Sequence, residues 1–249
     1  MSVPIYKILI AYDGTLYNGW QVQPNGPSVQ ETLETTLKVF LREPVKVIGS
    51  GRTDAGVHAH GQAAHFHCEA PITPYSFLRS ANALLPSDIR ILQIEPAPAG
   101  FHARYSAVGK VYHYHLWLDQ VMSPFKRLYA YRVPFKISLA ALKEAAAEFV
   151  GTHDFKAFAN SAHEGVAARD SIRTIYRLDI IEQPGGVRLV FEGDGFLYKM
   201  VRNMVGTLLH AASGKTTPSE IRAIFASQDR RLAAQAAPAH GLFLEKVLY

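Results

Sequence analysis

The sequence predicts a mixed α/β (α+β) protein made of two units, and three observations carry that expectation. Short strand-patterned runs alternate with longer runs of helical period, and the alternation restarts after Pro96 and Pro98. The composition, 48% hydrophobic and 19% charged over 249 residues, suits a globular chain that buries roughly three quarters of its unfolded surface. The expected units are residues 1–105 and 106–249.

Residues 6–12 read as a buried strand, followed by the turn-rich segment DGTLYNGWQVQPNG. Ser28 with Glu31 reads as a capping box, and Val29, Leu33, Leu37 and Phe40 recur at helical spacing behind it. Residues 45–48 and 62–68 read as strands joined by a Gly-rich segment. A helix over 74–84 and a strand over 89–94 complete the first unit. The second unit begins with strands over 111–118 and 129–133, then a helix from Ser138 that ends before Gly151. Strands over 172–181 and 187–192 follow, then a helix over 198–213 closed by Gly214, a shorter helix after Pro218 and a last strand over 242–248. The halves share element types without sharing a sequence repeat.

No apolar run approaches the roughly 18 residues of a membrane span, and no apolar leader opens the chain. A soluble cytoplasmic protein with no membrane partner is expected. Cys68 is the only cysteine, which excludes intrachain disulfides and thiolate metal clusters. A net charge of +5 favours a polyanionic partner. Arg169, Arg173 and Arg177 set against Ile172, Tyr176 and Ile180 predict a strand with one basic and one apolar face, either an ordinary solvated face or a polyanion contact.

The segment GSGRTDAGVHAHGQAAHFH, residues 49–67, concentrates the candidate chemistry. Gly49, Gly51 and Gly56 surround Asp54, so a short loop can hold one carboxylate forward; the alternative is an aspartate that only bonds its own turn. A phosphate-cradling loop is rejected, because a strand follows these glycines where a helix start is required. Arg52 lies two residues from Asp54. Arg202 lies in the helix YKMVRNMVGTLLHAA, which is apolar nearly all round, so its guanidinium either has an anionic partner or reaches solvent along its stem. A carboxylate beside an arginine stays ionised and suits a nucleophile or base. His58, His60, His65 and His67 invite a metal, yet no acidic cluster or HExxH helix accompanies them, and no metal is expected. His153 and Asp154 read as a capping pair. Tyr105, Tyr112 and Tyr114 interleave with Arg104, Lys110 and His113, a pattern suited to stacking bases; for Tyr114 a core position is preferred.

Taken in order, YDGTLYNGWQ, SVQETLE, GRTDAGVHAHGQAAHF, NALLPSDI, FHARYSA with VYHY, GFLYKMVRNMVG and APAHGLFL resemble the TruA family of tRNA pseudouridine synthases over nearly the whole chain. The resemblance implies two ferredoxin-like or RNA-recognition-like halves with antiparallel sheets flanking a central catalytic cleft, and a homodimer. It also implies cofactor-free conversion of uridine to pseudouridine in the tRNA anticodon stem-loop, at the positions numbered 38, 39 and 40. Carried onto this chain, it makes Asp54 the catalytic aspartate, Tyr112 the tyrosine against the uracil, Arg202 the arginine paired with the aspartate, and Arg52 a holder of the flipped nucleotide. Arg173 and Arg177 would meet backbone phosphates.

The chemistry fits one carboxylate. The N1 to C1′ bond breaks, the uracil turns and rejoins through C5, and no atom enters or leaves. A second acid and a water, which a glycosidase needs, have no part in this. Attack on the sugar, attack on the uracil and removal of a sugar proton are all open to Asp54. A stacked uridine must be flipped out first, with Tyr112 stacking on the base. Two other classes compete: a non-catalytic RNA-binding module of the same architecture, and a His-dependent metallohydrolase.

Overall fold

The computed structural model describes residues 3–160 and 170–249. Arg169 of the expected basic strand lies outside them. Contacts divide the chain into Met1–Val108 with Phe243–Tyr249, and Gly109–Leu242. The described residues form ten strands and five helices, a mixed α/β architecture with mostly antiparallel pairing. The first unit holds β1 (Ile5–Tyr12), α1 (Val29–Leu41), β2 (Ile48–Gly49), β3 (His58–His67), α2 (Pro74–Leu84) and β4 (Ile89–Ala97). The second holds β5 (Gly109–Trp117), β6 (Tyr131–Arg132), α3 (Leu139–Ala147), β7 (Gly151–Asp154), β8 (Ile172–Gln183), β9 (Gly186–Gly193), α4 (Met200–Ala212) and α5 (Pro218–Ser227). The last strand, β10 (Leu242–Leu248), returns the chain to the first unit. No described helix is long and apolar enough to cross a membrane.

In the first unit β1 lies between β4 and β3, antiparallel to both. β2 pairs antiparallel with the far edge of β3 at His65 and Ala64. The order β4-β1-β3-β2 with two crossover helices is the ferredoxin-like arrangement. The other end of that β3 edge is taken by β10, which runs parallel to it with Phe243 opposite His58. The core forms where the helices cover the sheet: Phe77 of α2 stacks on Phe66 of β3 at 6.0 Å and meets Phe40 of α1 edge-on at 5.6 Å. Ile8, Ile10, Leu33 and Leu37 are fully buried around them.

In the second unit β5, β9, β8 and β7 form an antiparallel sheet, and β6 adds two parallel residues to β5. Phe149 after α3, Phe158 and Phe225 of α5 pack ring against ring, at 5.0 Å between the first two and 4.6 Å between the last two. Tyr114 is fully buried and its hydroxyl donates to the Pro238 carbonyl at 2.7 Å, the core position expected of it.

Local chemistry explains the departures from expectation. Residues 45–47 form no strand, because the Glu34 carboxylate accepts from Val47 N at 2.9 Å and Gln30 Nε2 donates to Val47 O at 3.0 Å, so helix side chains take up that backbone. β3 begins at His58, four residues before the expected start, and is buried on both faces along most of its length. Such a strand loses the alternation by which strands are read. Gly61 marks where β10 approaches, since a Cβ there would lie 2.5 Å from the Glu245 carbonyl oxygen. The basic-versus-apolar alternation on β8 is not what forms. A register shift between Ile175 and Arg177 leaves Tyr176 as an extra residue, so Ile175 and Leu178 face inward while Ile172 and Tyr176 are exposed. Ser28 caps α1 by accepting from Glu31 N, and the complete reciprocal capping box forms at Thr217 and Glu220 of α5.

Phe77→Ala is expected to destabilise the protein by about 3–5 kcal/mol, the range for truncating a fully buried phenylalanine. The check is the urea midpoint at unchanged m-value. A loss below about 1 kcal/mol would mean that the Phe66–Phe77–Phe40 stack does not organise this core.

Candidate functional site

Asp54 is half-buried in the loop between β2 and β3, and hydrogen bonds fix that loop at several backbone positions on either side of it. Ser50 N donates to Ala63 O at 2.8 Å, Trp20 N to Thr53 O at 3.1 Å, Val57 N to Asp54 O at 3.1 Å, and Gly56 N to Tyr17 O at 3.3 Å. Side chains complete the clamp. Gln62 of β3 donates to Gly51 O at 3.0 Å and accepts from Ser50 Oγ at 2.7 Å. Tyr12 of β1 shares a 2.8 Å hydrogen bond with Thr53 Oγ1. Burial raises the Tyr12 phenol above its ordinary range, against smaller opposing effects of hydrogen bonds to Thr53 and Gln62, so the ring stays neutral.

The segment DGTLYNGWQ supplies the other wall. Gly19 adopts φ +91°, and a Cβ on it would lie 2.4 Å from Thr53 O and 3.0 Å from Asp54 C, so only glycine lets the two loops touch. His58 Nδ1 lies 3.1 Å from both Gly14 N and Asp13 Oδ1, and its ring stacks on Phe243 at 4.6 Å. His58 thereby pins the start of β3. Tyr12, Gly19, Ser50, Thr53 and Gln62 were not read as site residues from the sequence. The available signal was the length and glycine content of 13–27, too long for a simple connector.

The remaining candidates are distributed as follows. Arg52 is exposed and its Nε donates to Gln21 Oε1 at 3.2 Å. In the second unit, Tyr112 shares the buried face of β5 with Tyr114 and meets Phe196 edge-on at 5.0 Å. Arg202 is half-buried on α4; its Nε donates to Ala237 O at 2.7 Å, while Ala237 N donates back to Arg202 O at 2.9 Å. This exchange fixes the stem of the side chain against the stretch before β10. Arg173 lies 3.9 Å from Asp170, and Arg177 is held by Glu192 at 2.8 Å and Asp179 at 3.0 Å. Those carboxylates raise the Arg177 pKa, the Glu192 hydrogen bond most of all.

Of the histidines in this run, His58 and His65 are buried, whereas His60 and His67 are exposed and His60 Nδ1 lies 2.8 Å from Glu245. His65 is buried; its Nδ1 accepts from Ala103 N at 3.1 Å, and its ring meets His102 at 4.9 Å and His67 at 5.9 Å. Burial, then the neighbouring His102 and His67, pushes its pKa down to about 4. Among the described residues no group of three or more His, Cys, Asp or Glu is placed to hold a metal ion. Asp154 caps the short helix after β7, accepting from Lys156 N at 3.0 Å.

Comparison with known proteins adds identity to this geometry. A family model described as tRNA pseudouridine synthase matches residues 8–106 and 145–249. The chain is 56% identical over 245 residues to tRNA pseudouridine synthase A 1 of Protochlamydia amoebophila, covering 98% of this chain and 96% of that one. It is 47% identical to tRNA pseudouridine synthase A of Chlamydia trachomatis serovar A, covering 96% and 90% of the two chains. The enzyme of the same name from Bacillus subtilis is 44% identical, covering 98% of each.

Two outcomes test the site's construction. Gly19→Ala is expected to destabilise the Asp54 loop, seen as faster amide exchange at Ser50, Gly56 and Val57 than in the parent; unchanged exchange would contradict the clamp. For His65, the folded pKa of about 4 lies below the ordinary 6.5. The neutral ring is favoured by folding, so its stabilising share is complete above pH 6.5 and is lost as pH falls towards about 4. His65→Asn keeps an acceptor for Ala103 N and removes that titration. Its stability should fall less steeply over this window, by up to about 1.4 kcal/mol per pH unit. Parallel stability curves would contradict this assignment.

Proposed function

The chain belongs to the tRNA pseudouridine synthase family, a family of isomerases, and on that premise we propose that it converts uridine to pseudouridine in the tRNA anticodon stem-loop, at positions 38, 39 and 40, with Asp54 as the catalytic carboxylate. The observation that carries this reading is the clamped loop. A carboxylate held on a backbone already hydrogen-bonded at Ser50, Gly51, Thr53, Asp54, Gly56 and Val57 needs little reorganisation when a nucleoside arrives. It can act on the sugar or the base while the uracil is retained in the pocket. The C5 proton leaves, N1 gains one, and the composition of the RNA is unchanged.

The other residues take complementary parts. Tyr112 stacks against the uracil, Arg52 holds the flipped nucleotide, and Arg202 pairs with Asp54. The bond from Arg202 Nε to the Ala237 carbonyl anchors the stem of that side chain. Arg173 and Arg177 meet backbone phosphates. Arg177 contributes less, because Glu192 and Asp179 already share its charge. The protein works as a homodimer in the cytoplasm, and the reaction requires no cofactor or metal.

The test is to incubate unmodified tRNA with the protein and map pseudouridine across the anticodon arm. Wild type should convert uridines at positions 38 to 40, chelator should leave the rate unchanged, and Asp54→Asn should lower it by about a thousandfold or more while tRNA affinity changes little. Wild-type protein that binds tRNA and leaves every uridine intact would favour the non-catalytic RNA-binding module instead.

A further inference from the structure

A chain of side-chain amides runs from the interior of the first unit to the guanidinium of Arg52. Gln30 of α1 is 6% exposed, and all four hydrogen-bonding positions of its amide are filled. Its Oε1 accepts from Val22 N at 3.2 Å and Gln21 Nε2 at 2.7 Å; its Nε2 donates to Val47 O at 3.0 Å and Glu34 Oε1 at 3.0 Å. Glu34 is fixed in turn by Val47 N at 2.9 Å. The two backbone contacts set the polarity. Val22 N–H can only donate and Val47 C=O can only accept, so the Gln30 amide has one permitted orientation. Gln30 therefore offers Gln21 an oxygen, Gln21 must answer with its NH₂, and its own oxygen is left facing Arg52 Nε at 3.2 Å.

We propose that Gln21 and Gln30 are positioning residues for the reaction, a directional relay that aims the Arg52 guanidinium at the nucleotide site. This rests on the reading of Arg52 given under Proposed function. An amide is expensive to bury, and an apolar residue would pack α1 at position 30 without that cost. What the amide adds is direction. An exposed arginine samples many rotamers, and an acceptor of fixed orientation at Nε restrains the fork without using its terminal nitrogens.

The experiment is a double-mutant cycle read by single-turnover pseudouridine formation, with tRNA affinity and melting temperature measured on every variant. Gln21→Leu and Gln30→Leu are each expected to slow the chemical step by about 10- to 100-fold with affinity held within about twofold. Gln21→Glu, which still presents an oxygen to Arg52, should recover part of the Gln21→Leu loss. Combined with Arg52→Ala, Gln21→Leu should cause no further loss, since its effect passes through Arg52. Losses that multiply in the double variant, a loss residing wholly in affinity or melting temperature, or no effect of Gln21→Leu or Arg52→Ala alone would overturn the relay. Gln21 lies half-buried on a loop, so its variants keep the test decisive if Gln30→Leu does not fold. Wild type and Asp54→Asn in the same assay separate the two claims. An inactive wild type sinks the functional reading, whereas an active wild type with multiplying losses sinks only the relay.

Discussion

Hydrogen bonds tie residues 50–57 to the neighbouring loop and to β1 and β3, and they hold the turn that carries Asp54. They come from three separate places: the main chain at Tyr17 and Trp20, the Tyr12 hydroxyl, and Gln62. No single element could hold the Asp54 turn. Glycine at position 19 makes the meeting possible, because the Thr53 carbonyl occupies the space that any side chain there would need. Strand pairing delivers Tyr12 and Gln62 beneath the loop, since β1 lies directly against β3 with Tyr12 opposite Ala59.

The buried polar residues of this unit follow the same logic. Ser50, Thr53, Gln62 and His58 are nearly inaccessible, and each would be costly without partners. Each is bonded to β1, to the Asp54 loop, to β3 or to the loop before α1. A core built for stability alone would place apolar side chains at these positions. The satisfied network favours one conformation of the loop that carries Asp54.

Much of this was legible in the sequence, and the exceptions have physical causes. The long amphipathic helices and the strand YKILIAY follow from periodicity, and Gly214 marks the end of α4 with φ +77°. GRTDAGVHA singled out Asp54 because glycines flank a lone acid. Hidden from pattern reading were contacts between residues far apart in the chain. The early start of β3 depends on burial on both faces, the missing strand at 45–47 on Gln30 and Glu34, and the shifted face of β8 on one extra residue at Tyr176. The histidine run mimics a metal motif because a buried strand with His65 and His58 needs aromatic filler that can also accept a backbone N–H. Gln21 and Gln30 carry no motif at all, and their polarity emerges only when every partner is named.

Amide hydrogen exchange on the RNA-free protein reads whether the Asp54 loop is already formed before RNA binds. Trp20, Ser50, Gly56 and Val57 are expected to exchange as slowly as the paired amides of β3. Exchange at those four positions as fast as in an exposed loop would contradict this, and would make the loop a product of RNA binding.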